Sequence, residues 1–241
     1  MNVAVILPAA GLGTRMGRPA PEKGGISRKQ FMLLDGAPIL LHTIRKFLSC
    51  PSVSQILVAL RKEDFPWVDE MLARQGLAKP VLLVEGGDAR QQSVENALAR
   101  IGPEVELVAV HDAVRPFIEP ATIETTFQEA AQCGAAIVGI VPVDTVKQVK
   151  RNKITATIPR DRLVMAQTPQ VFRRELLERA FAKAHEDGFV GTDESSLVER
   201  LEQVEVSVVA GSDRNIKITK PTDMDLARLF LAEEAGQPKL P

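Results

Sequence analysis

Short apolar runs alternate along the chain with segments in which apolar side chains recur every three or four positions. The first pattern is typical of buried strands and the second of amphipathic helices. Strands are predicted at residues 3–7, 55–60, 80–84, 107–110, 135–141 and 204–209. Helices are predicted at 39–48, 64–74, 89–101, 122–132, 174–186 and 194–201, with a last one from 222. This alternation predicts βαβ units, and therefore an α/β fold with a Rossmann-like, mainly parallel sheet flanked by helices.

One segment interrupts this alternation of strands and helices. Residues 145–149 and 154–158 are two strand-like pieces on either side of a basic stretch at 150–153. Their alternating pattern predicts a β-hairpin arm within residues 143–160. One face of the arm could rest on the body of the protein or on a second copy of it. Because no convincing linker is found, residues 1–241 are expected to form one domain that carries this arm.

Composition and charge narrow the class of protein. The 241 residues include 30 basic and 31 acidic side chains, and a net charge of −1 argues against nucleic-acid binding. The longest nearly apolar run, residues 133–143, is about half the length of a membrane span. The first residues lack the basic start of a secretory signal, and Cys50 and Cys133 form no CxxC motif. A cytoplasmic protein, most often an enzyme, is therefore expected.

A glycine-rich loop, residues 8–17, follows the first predicted strand. Small residues there let backbone N–H groups approach a phosphate or a base. The dinucleotide fingerprint would need glycine at Met16, and no Gly-Lys-Ser/Thr follows the loop. An NAD(P)-dependent oxidoreductase and a P-loop protein are therefore disfavoured. A phosphate-binding loop remains, with charge from Arg15 and from Lys23 or Lys29, and a plain structural turn is the alternative.

The loop and five later segments together carry a family resemblance. The loop, followed by Lys29-Gln30-Phe31, resembles that of nucleotidyltransferases that make nucleotide-diphosphate sugars and alcohols. The later segments, in order, are GGDARQQSV at 86–94, HDAVRP at 111–116, QTPQVF at 167–172, TDE at 192–194 and NIKIT at 215–219. The ordered set resembles the family of 2-C-methyl-D-erythritol 4-phosphate cytidylyltransferases of the non-mevalonate isoprenoid pathway.

The resemblance implies a reaction and its requirements. The family transfers CMP from CTP to 2-C-methyl-D-erythritol 4-phosphate with magnesium, giving 4-diphosphocytidyl-2-C-methyl-D-erythritol and pyrophosphate. The attacking phosphomonoester has a second pKa near 6, so it is largely dianionic at neutral pH and needs no general base. What the reaction needs is in-line positioning and stabilisation of a crowded anionic transition state.

The resemblance also assigns roles to residues. It implies catalytic roles for Arg15 and Lys29, and polyol-phosphate binding by Arg115 and Lys217, with weaker roles for two threonines, Thr168 and Thr192. For CTP it implies contacts with Ala9, Ala10, Gly11, Gly13, Gly87, Asp88 and Ser93. In the family the hairpin arm crosses to a second subunit. The arm residues Thr145 and Arg160 are therefore expected to bind the polyol phosphate in the partner's site of a homodimer.

Asp112 is the predicted magnesium ligand. It follows a buried strand, at the carboxyl edge where ligands bind in open α/β sheets. A carboxylate at this place suits Mg²⁺, which takes one or two protein carboxylates and leaves its other positions to phosphates and water.

Three alternatives stay open at this point. The segment from Met16 to Lys29 is longer than usual for the family, and Arg28 stands where proline is typical. Either Lys23 or Lys29 could therefore reach the phosphates, and Gln30-Phe31 favours Lys29. A ribitol-5-phosphate cytidylyltransferase shares the loop and the cytidine chemistry. A catalytically inactive nucleotide-binding regulatory module is the third reading.

Overall fold

The structure is a computed structural model that describes residues 1–11 and 28–236. The strands within these residues are β1 (Val3–Pro8), β2 (Leu33–Leu34), β3 (Ala37–Pro38), β4 (Val53–Leu60), β5 (Val81–Glu85), β6 (Leu107–Val110), β7 (Ala135–Ile140), β8 (Val146–Lys150), β9 (Lys153–Ile158), β10 (Met165–Arg173) and β11 (Ser207–Ala210). The helices are α1 (Ile39–Leu48), α2 (Phe65–Ala73), α3 (Arg90–Leu98), α4 (Pro120–Cys133), α5 (Arg174–Glu186), α6 (Glu194–Glu199) and α7 (Pro221–Gly236). In the described part of the chain, no helix is both long and apolar enough to cross a bilayer.

A seven-stranded sheet forms the centre of the protein, in the order β11-β7-β10-β6-β1-β4-β5. Neighbouring strands run parallel, except that β10 is antiparallel to both β6 and β7. The prediction of a mainly parallel, Rossmann-like sheet is therefore confirmed. Strand β10 was not predicted, because its middle, Gln167-Thr168-Pro169-Gln170, is polar and contains proline, and the sequence signal for a strand is weak there.

Helices cover both faces of the sheet, which explains why the neighbouring central strands β1 and β6 are apolar at every position. Along β1, Val3, Val5 and Leu7 pack with α1 and α4 on one face. Ala4 and Ile6 pack with α3 and α5 on the other face. Successive side chains of a strand point to opposite faces, so a strand buried on both faces reads as a continuous apolar run.

The predicted hairpin arm is present as a separate two-stranded sheet. Strand β8 pairs with the antiparallel β9, and Lys150 lies opposite Lys153 at the tip. The two residues between them, Arg151 and Asn152, both have positive φ angles, of 50° and 61°. Positive φ at both positions is the geometry of the tight turn whose twist matches that of a hairpin.

A fully buried histidine links β6 to β10 beside the carboxyl edge of the sheet. The Nε2 of His111 lies 3.0 Å from the carbonyl oxygen of Arg115, which can only accept, so Nε2 donates. Its Nδ1 then accepts from the Thr168 hydroxyl at 3.1 Å, and the Thr168 oxygen accepts from the backbone N–H of Asp112 at 3.0 Å. This chain of hydrogen bonds fits the neutral imidazole, and burial lowers the pKa of His111 to about 4.

The low pKa of His111 predicts a loss of stability in mild acid. Between its ordinary pKa of about 6.5 and the folded value of about 4, the unfolded chain binds the proton more readily. The contribution of neutral His111 to the free energy of unfolding is therefore complete above pH 6.5. It falls as pH drops from 6.5 to 4, by at most about 3 kcal/mol. Urea unfolding at pH 7.5 and pH 4.5 measures the change.

The variant His111→Gln provides the comparison. It lacks the titrating group, so it should be less stable than the wild type at pH 7.5 and should lose less stability on acidification. The other histidines, His42 and His185, are present in both proteins and cancel in the comparison. Identical pH slopes for the two proteins would contradict the assignment.

Candidate active site

A cavity of about 390 Å³ opens at the carboxyl edge of the parallel strands. Four neighbouring parallel strands, β6, β1, β4 and β5, end at this edge, and the residues that follow each of them contribute to its wall. The lining residues are Pro8, Ala9, Ala10, Gly11, Lys29, Gln30, Arg61, Gly87, Asp88, Ala89, Arg90, Ser93, Asp112, Ala113, Val114 and Lys217. The place agrees with the general rule for ligand sites in open α/β sheets.

Two side chains fix the segment that leaves β1. The buried amide of Gln30 donates to the carbonyl oxygens of Ala9 at 2.6 Å and Gly11 at 3.3 Å. The Nε of Arg61 donates to the carbonyl oxygen of Ala10 at 3.0 Å. The start of the glycine-rich loop is therefore held from both sides by chain segments that are distant in sequence.

The turn between β5 and α3 is closed by its own side chains. The Ser93 hydroxyl oxygen accepts from the N–H of Gly87 at 3.0 Å, and this hydroxyl lies 3.0 Å from the carbonyl oxygen of Ala89. A Cβ atom on Gly86 would lie 2.6 Å from the Cβ of Ala10, so the two loops meet at a distance that only glycine permits. Ser93 therefore shapes the turn.

Asp112 is an almost fully buried carboxylate that faces three cations. One of its oxygens, Oδ2, lies 2.9 Å from Lys217 Nζ and 3.2 Å from Arg115 Nε, and Oδ1 lies 3.6 Å from Arg90 Nε. Burial alone would raise the pKa of Asp112. The combined charges of Lys217, Arg90 and Arg115 outweigh burial and hold this pKa well below its usual range. Asp112 is thus a fixed negative charge at every physiological pH.

A second, smaller cavity of about 200 Å³ adjoins the first. Its lining residues are Arg90, Asp112, Arg115, Ala166, Gln167, Thr168, Gln170, Thr192, Asp193 and Lys217. Three of these, Arg90, Asp112 and Lys217, also line the larger cavity. The two cavities therefore share a wall, named here the charged wall, that consists of one buried carboxylate and two cations.

The structure brings most of the predicted site residues to these two cavities. Ala9, Ala10, Gly11, Lys29, Gly87, Asp88, Ser93, Asp112 and Lys217 line the larger one. Arg115, Thr168 and Thr192 line the smaller one. Thr145 and Arg160 lie exposed on and next to the hairpin arm and line neither cavity of their own chain. Gly13, Arg15 and the alternative lysine, Lys23, lie outside the described residues.

Asp112, the predicted magnesium ligand, faces cations through both of its oxygens, and a metal added there would meet three positive charges. Within the described residues, no group of three or more His, Cys, Asp or Glu side chains is arranged to hold a metal. The role of Asp112 as a magnesium ligand therefore stays a prediction, and its contacts favour a role in organising cations.

Sequence reasoning missed Arg61 and Arg90 in the larger cavity, and Glu194 behind them. Arg61 directly follows β4 at the carboxyl edge, which is the same positional signal that singled out Asp112. Arg90 lies inside a segment that the resemblance covers, between residues to which roles were assigned. The Nη1 of Arg90 contacts both carboxylate oxygens of the buried Glu194, at 2.7 and 2.9 Å.

Comparisons with known proteins show what the chain is similar to. Residues 3–233 match the family model described as 2-C-methyl-D-erythritol 4-phosphate cytidylyltransferase (IspD). A protein of that name from Solibacter usitatus is 63% identical, with 100% of both chains covered. Another from Acidobacterium capsulatum is 51% identical, covering 98% of this chain and 100% of the relative.

Solved structures give the same result. The 4-diphosphocytidyl-2C-methyl-D-erythritol synthase of Anaerococcus prevotii superposes with a TM-score of 0.84 at 27% identity, over 96% of each chain. The 2-C-methyl-D-erythritol 4-phosphate cytidylyltransferase of Thermus thermophilus superposes with a TM-score of 0.77 at 30% identity, over 96% of this chain and 100% of that one. With sequence, family model and fold in agreement over nearly its whole length, the chain belongs to the 2-C-methyl-D-erythritol 4-phosphate cytidylyltransferase family.

Proposed function

We propose that this protein transfers CMP from CTP to 2-C-methyl-D-erythritol 4-phosphate and releases pyrophosphate. Family membership supports the reaction, and one observation about the site carries it. Two cavities of unequal size meet at a charged wall that contains Arg90, Asp112 and Lys217. A nucleotide in the larger cavity and a polyol phosphate in the smaller one would bring their phosphates together at this wall.

The larger cavity suits a nucleoside triphosphate. The turn at Gly87 and Asp88 lines it, and the small residues Ala9, Ala10 and Gly11 leave room for a base beside this turn. Lys29 also lines this cavity and supplies positive charge for the phosphates. In this proposal Gly13 and Arg15, which belong to the glycine-rich loop, complete the phosphate contacts.

The smaller cavity suits the acceptor. Arg115 and Lys217 bind its phosphate, and Thr168 and Thr192 offer hydroxyl groups to the polyol. An oxygen of this phosphate attacks the α-phosphorus of CTP and forms the new P–O bond. The bond from that phosphorus to the bridging oxygen of the β-phosphate breaks, and the electron pair leaves with pyrophosphate.

The reaction needs no protein base, and the site is consistent with this. The acceptor phosphate is largely dianionic at neutral pH. The histidine nearest the site, His111, is fully buried and uses both ring nitrogens in structural hydrogen bonds. The contribution of the protein is therefore positioning and fixed positive charge. We propose that magnesium arrives with the triphosphate, whose oxygens are its natural ligands.

The proposal includes a homodimer, because the hairpin arm carries apolar side chains that the described residues of its own chain leave exposed. Val143 is 74% exposed, Val149 57% and Ile154 66%. An arm that reaches a second subunit would bury these side chains and carry Thr145 and Arg160 to the partner's site. A cytoplasmic location is also proposed, since both cysteines of the chain are free.

The first prediction from the proposed function concerns the acceptor and the phosphate-binding lysine. Pyrophosphate release with CTP and Mg²⁺ should be observed with 2-C-methyl-D-erythritol 4-phosphate, and not with ribitol 5-phosphate. Removing one preorganised positive charge costs on the order of 3 kcal/mol in the barrier, so Lys29→Ala should lower kcat about 100-fold. Lys23→Ala, the matched control, should retain turnover close to that of the wild type.

Each result that departs from this prediction rejects a different part of the proposal. Turnover with ribitol 5-phosphate alone would keep the chemistry and reject the acceptor. CTP binding without turnover on either polyol phosphate would favour the regulatory module. Equal losses in the two lysine variants would contradict the assignment of Lys29.

The second prediction concerns the arm. Lys29→Ala and Arg160→Ala should each be nearly inactive as homodimers, because one damages the body of the site and the other the arm. If the arm crosses, a heterodimer of the two variants contains one intact site and one doubly damaged site. Such a heterodimer, isolated with two affinity tags, should regain about half of the wild-type activity per dimer.

The neighbouring Arg162→Ala is the matched control for Arg160. Arg162 is exposed on the same short 3-10 turn, Arg160–Arg162, but the family resemblance assigns it no role, so its loss should leave activity near the wild-type level. A heterodimer without activity would show that each site is formed within one chain, and sedimentation as a fully active monomer would have the same meaning.

A further inference from the structure

The first residue of α3 and the first residue of α6 form an ion pair behind the site. Arg90 Nη1 lies within hydrogen-bond distance of both carboxylate oxygens of Glu194, which is 1% exposed. These residues are 104 positions apart in sequence. The pair therefore joins the turn that forms the nucleotide side of the site to the segment that carries Thr192 on the acceptor side.

A second connection reinforces the first. The side-chain oxygen of Gln91 accepts from the N–H of Gly191 at 2.9 Å, and its amide nitrogen donates to the carbonyl oxygen of Phe189 at 3.4 Å. The first two residues of α3 thus hold the segment before α6 at three points, Phe189, Gly191 and Glu194. Thr192 lies between the last two of these points, so its position depends on α3.

Arg90 also contacts Asp112, the carboxylate of the charged wall. Its Nε lies 3.6 Å from Oδ1 of Asp112, while Nη1 is held by Glu194. Arg90 is one of three residues that line both cavities. A planar guanidinium can address two carboxylates in fixed directions at once, and a lysine ammonium on its flexible stem does not fix two directions in the same way.

The free-energy cost of burying the ion pair of Arg90 and Glu194 argues against a purely structural role. Burial raises the pKa of Glu194, and the charge of Arg90 opposes this rise. Buried ion pairs commonly contribute little or no net stability relative to neutral groups of similar size. What the charged pair does provide is a fixed direction for the guanidinium at the wall between the two cavities.

We propose that Arg90 is a positioning residue for CMP transfer, which holds Asp112 and the Thr192 segment in register with the nucleotide-binding turn and is itself held in direction by Glu194. This inference rests on the proposed function. It concerns the relative placement of the two substrates, which sets the rate of an in-line displacement. It adds Arg90 and Glu194 to the residues on which turnover depends.

Three variants test whether Arg90 acts by positioning the site, by supporting the fold or by its charge alone. Arg90→Gln combined with Glu194→Gln replaces the ion pair with two neutral amides, which can bond to each other, and leaves no unpaired buried charge. Glu194→Gln alone keeps the positive charge beside Asp112 and removes its anchor. A third variant, Arg90→Lys, keeps the charge and removes the planar group.

A matched control is available at the opposite edge of the sheet. Arg174 pairs with Glu178 within α5, and its backbone N–H donates to the carbonyl oxygen of Glu106, just before β6 begins. Neither Arg174 nor Glu178 lines either cavity. Arg174→Gln combined with Glu178→Gln therefore removes an ion pair of the same chemistry away from the site.

The measurements are kcat, the KM for each substrate, CTP affinity by calorimetry, and the midpoint of thermal unfolding. Misplacement of about 1 Å can cost on the order of 100-fold, so the Arg90/Glu194 double variant and Glu194→Gln should lower kcat between about 10-fold and 100-fold. The KM for the polyol phosphate should rise about 10-fold, and CTP affinity should change less than about 3-fold. Arg90→Lys should recover part of kcat.

The unfolding midpoint of the double variant should stay within about 5 °C of the wild type, and the control variant should match the wild type in every kinetic parameter. Wild-type kcat and KM in the double variant would reduce the pair to structural support and overturn the inference. Wild-type kinetics in Glu194→Gln would overturn the anchoring role. An inactive wild-type protein would instead reject the proposed function, and the inference with it.

Discussion

The buried carboxylate of Asp112 is the constraint on which the site depends. A charge removed from water must be compensated, and breaking a buried pair by removing one partner typically costs about 3–5 kcal/mol. Asp112 is compensated by Arg90 from the start of α3, by Arg115 from the turn after β6, and by Lys217 from the segment before α7. These three parts of the chain must therefore converge at the end of β6 whenever the protein is folded.

The proposed chemistry uses the same convergence. The charged wall places Arg90 and Lys217 beside Asp112 between the two cavities, where phosphate groups of both substrates would meet. Thr168 ties this wall to β10 through the N–H of Asp112 and the ring of His111. In the proposed assignment of the two cavities, the antiparallel strand β10 supports the acceptor side and the parallel strands support the nucleotide side.

The sequence predicts the parts of this arrangement that local patterns encode. Apolar runs identify the parallel strands, and Asp112, which follows one of them, is expected at the carboxyl edge. Strand β10 is not predicted, because the residues Gln167-Thr168-Pro169-Gln170 show neither a high strand propensity nor an alternation of apolar and polar positions. The ion pair of Arg90 and Glu194 is not predicted for another reason. No spacing rule relates two residues that meet only after α3 and α6 have packed against the sheet.

A crystal structure with 2-C-methyl-D-erythritol 4-phosphate and a CTP analogue carrying a methylene bridge between the α- and β-phosphates would locate both substrates at once. We expect the cytosine against the turn at Gly87 and Ser93, the acceptor phosphate beside Arg115 in the smaller cavity, and the α-phosphorus between them at the charged wall. Both substrates in one cavity, or phosphates away from Asp112 and Lys217, would contradict this expectation.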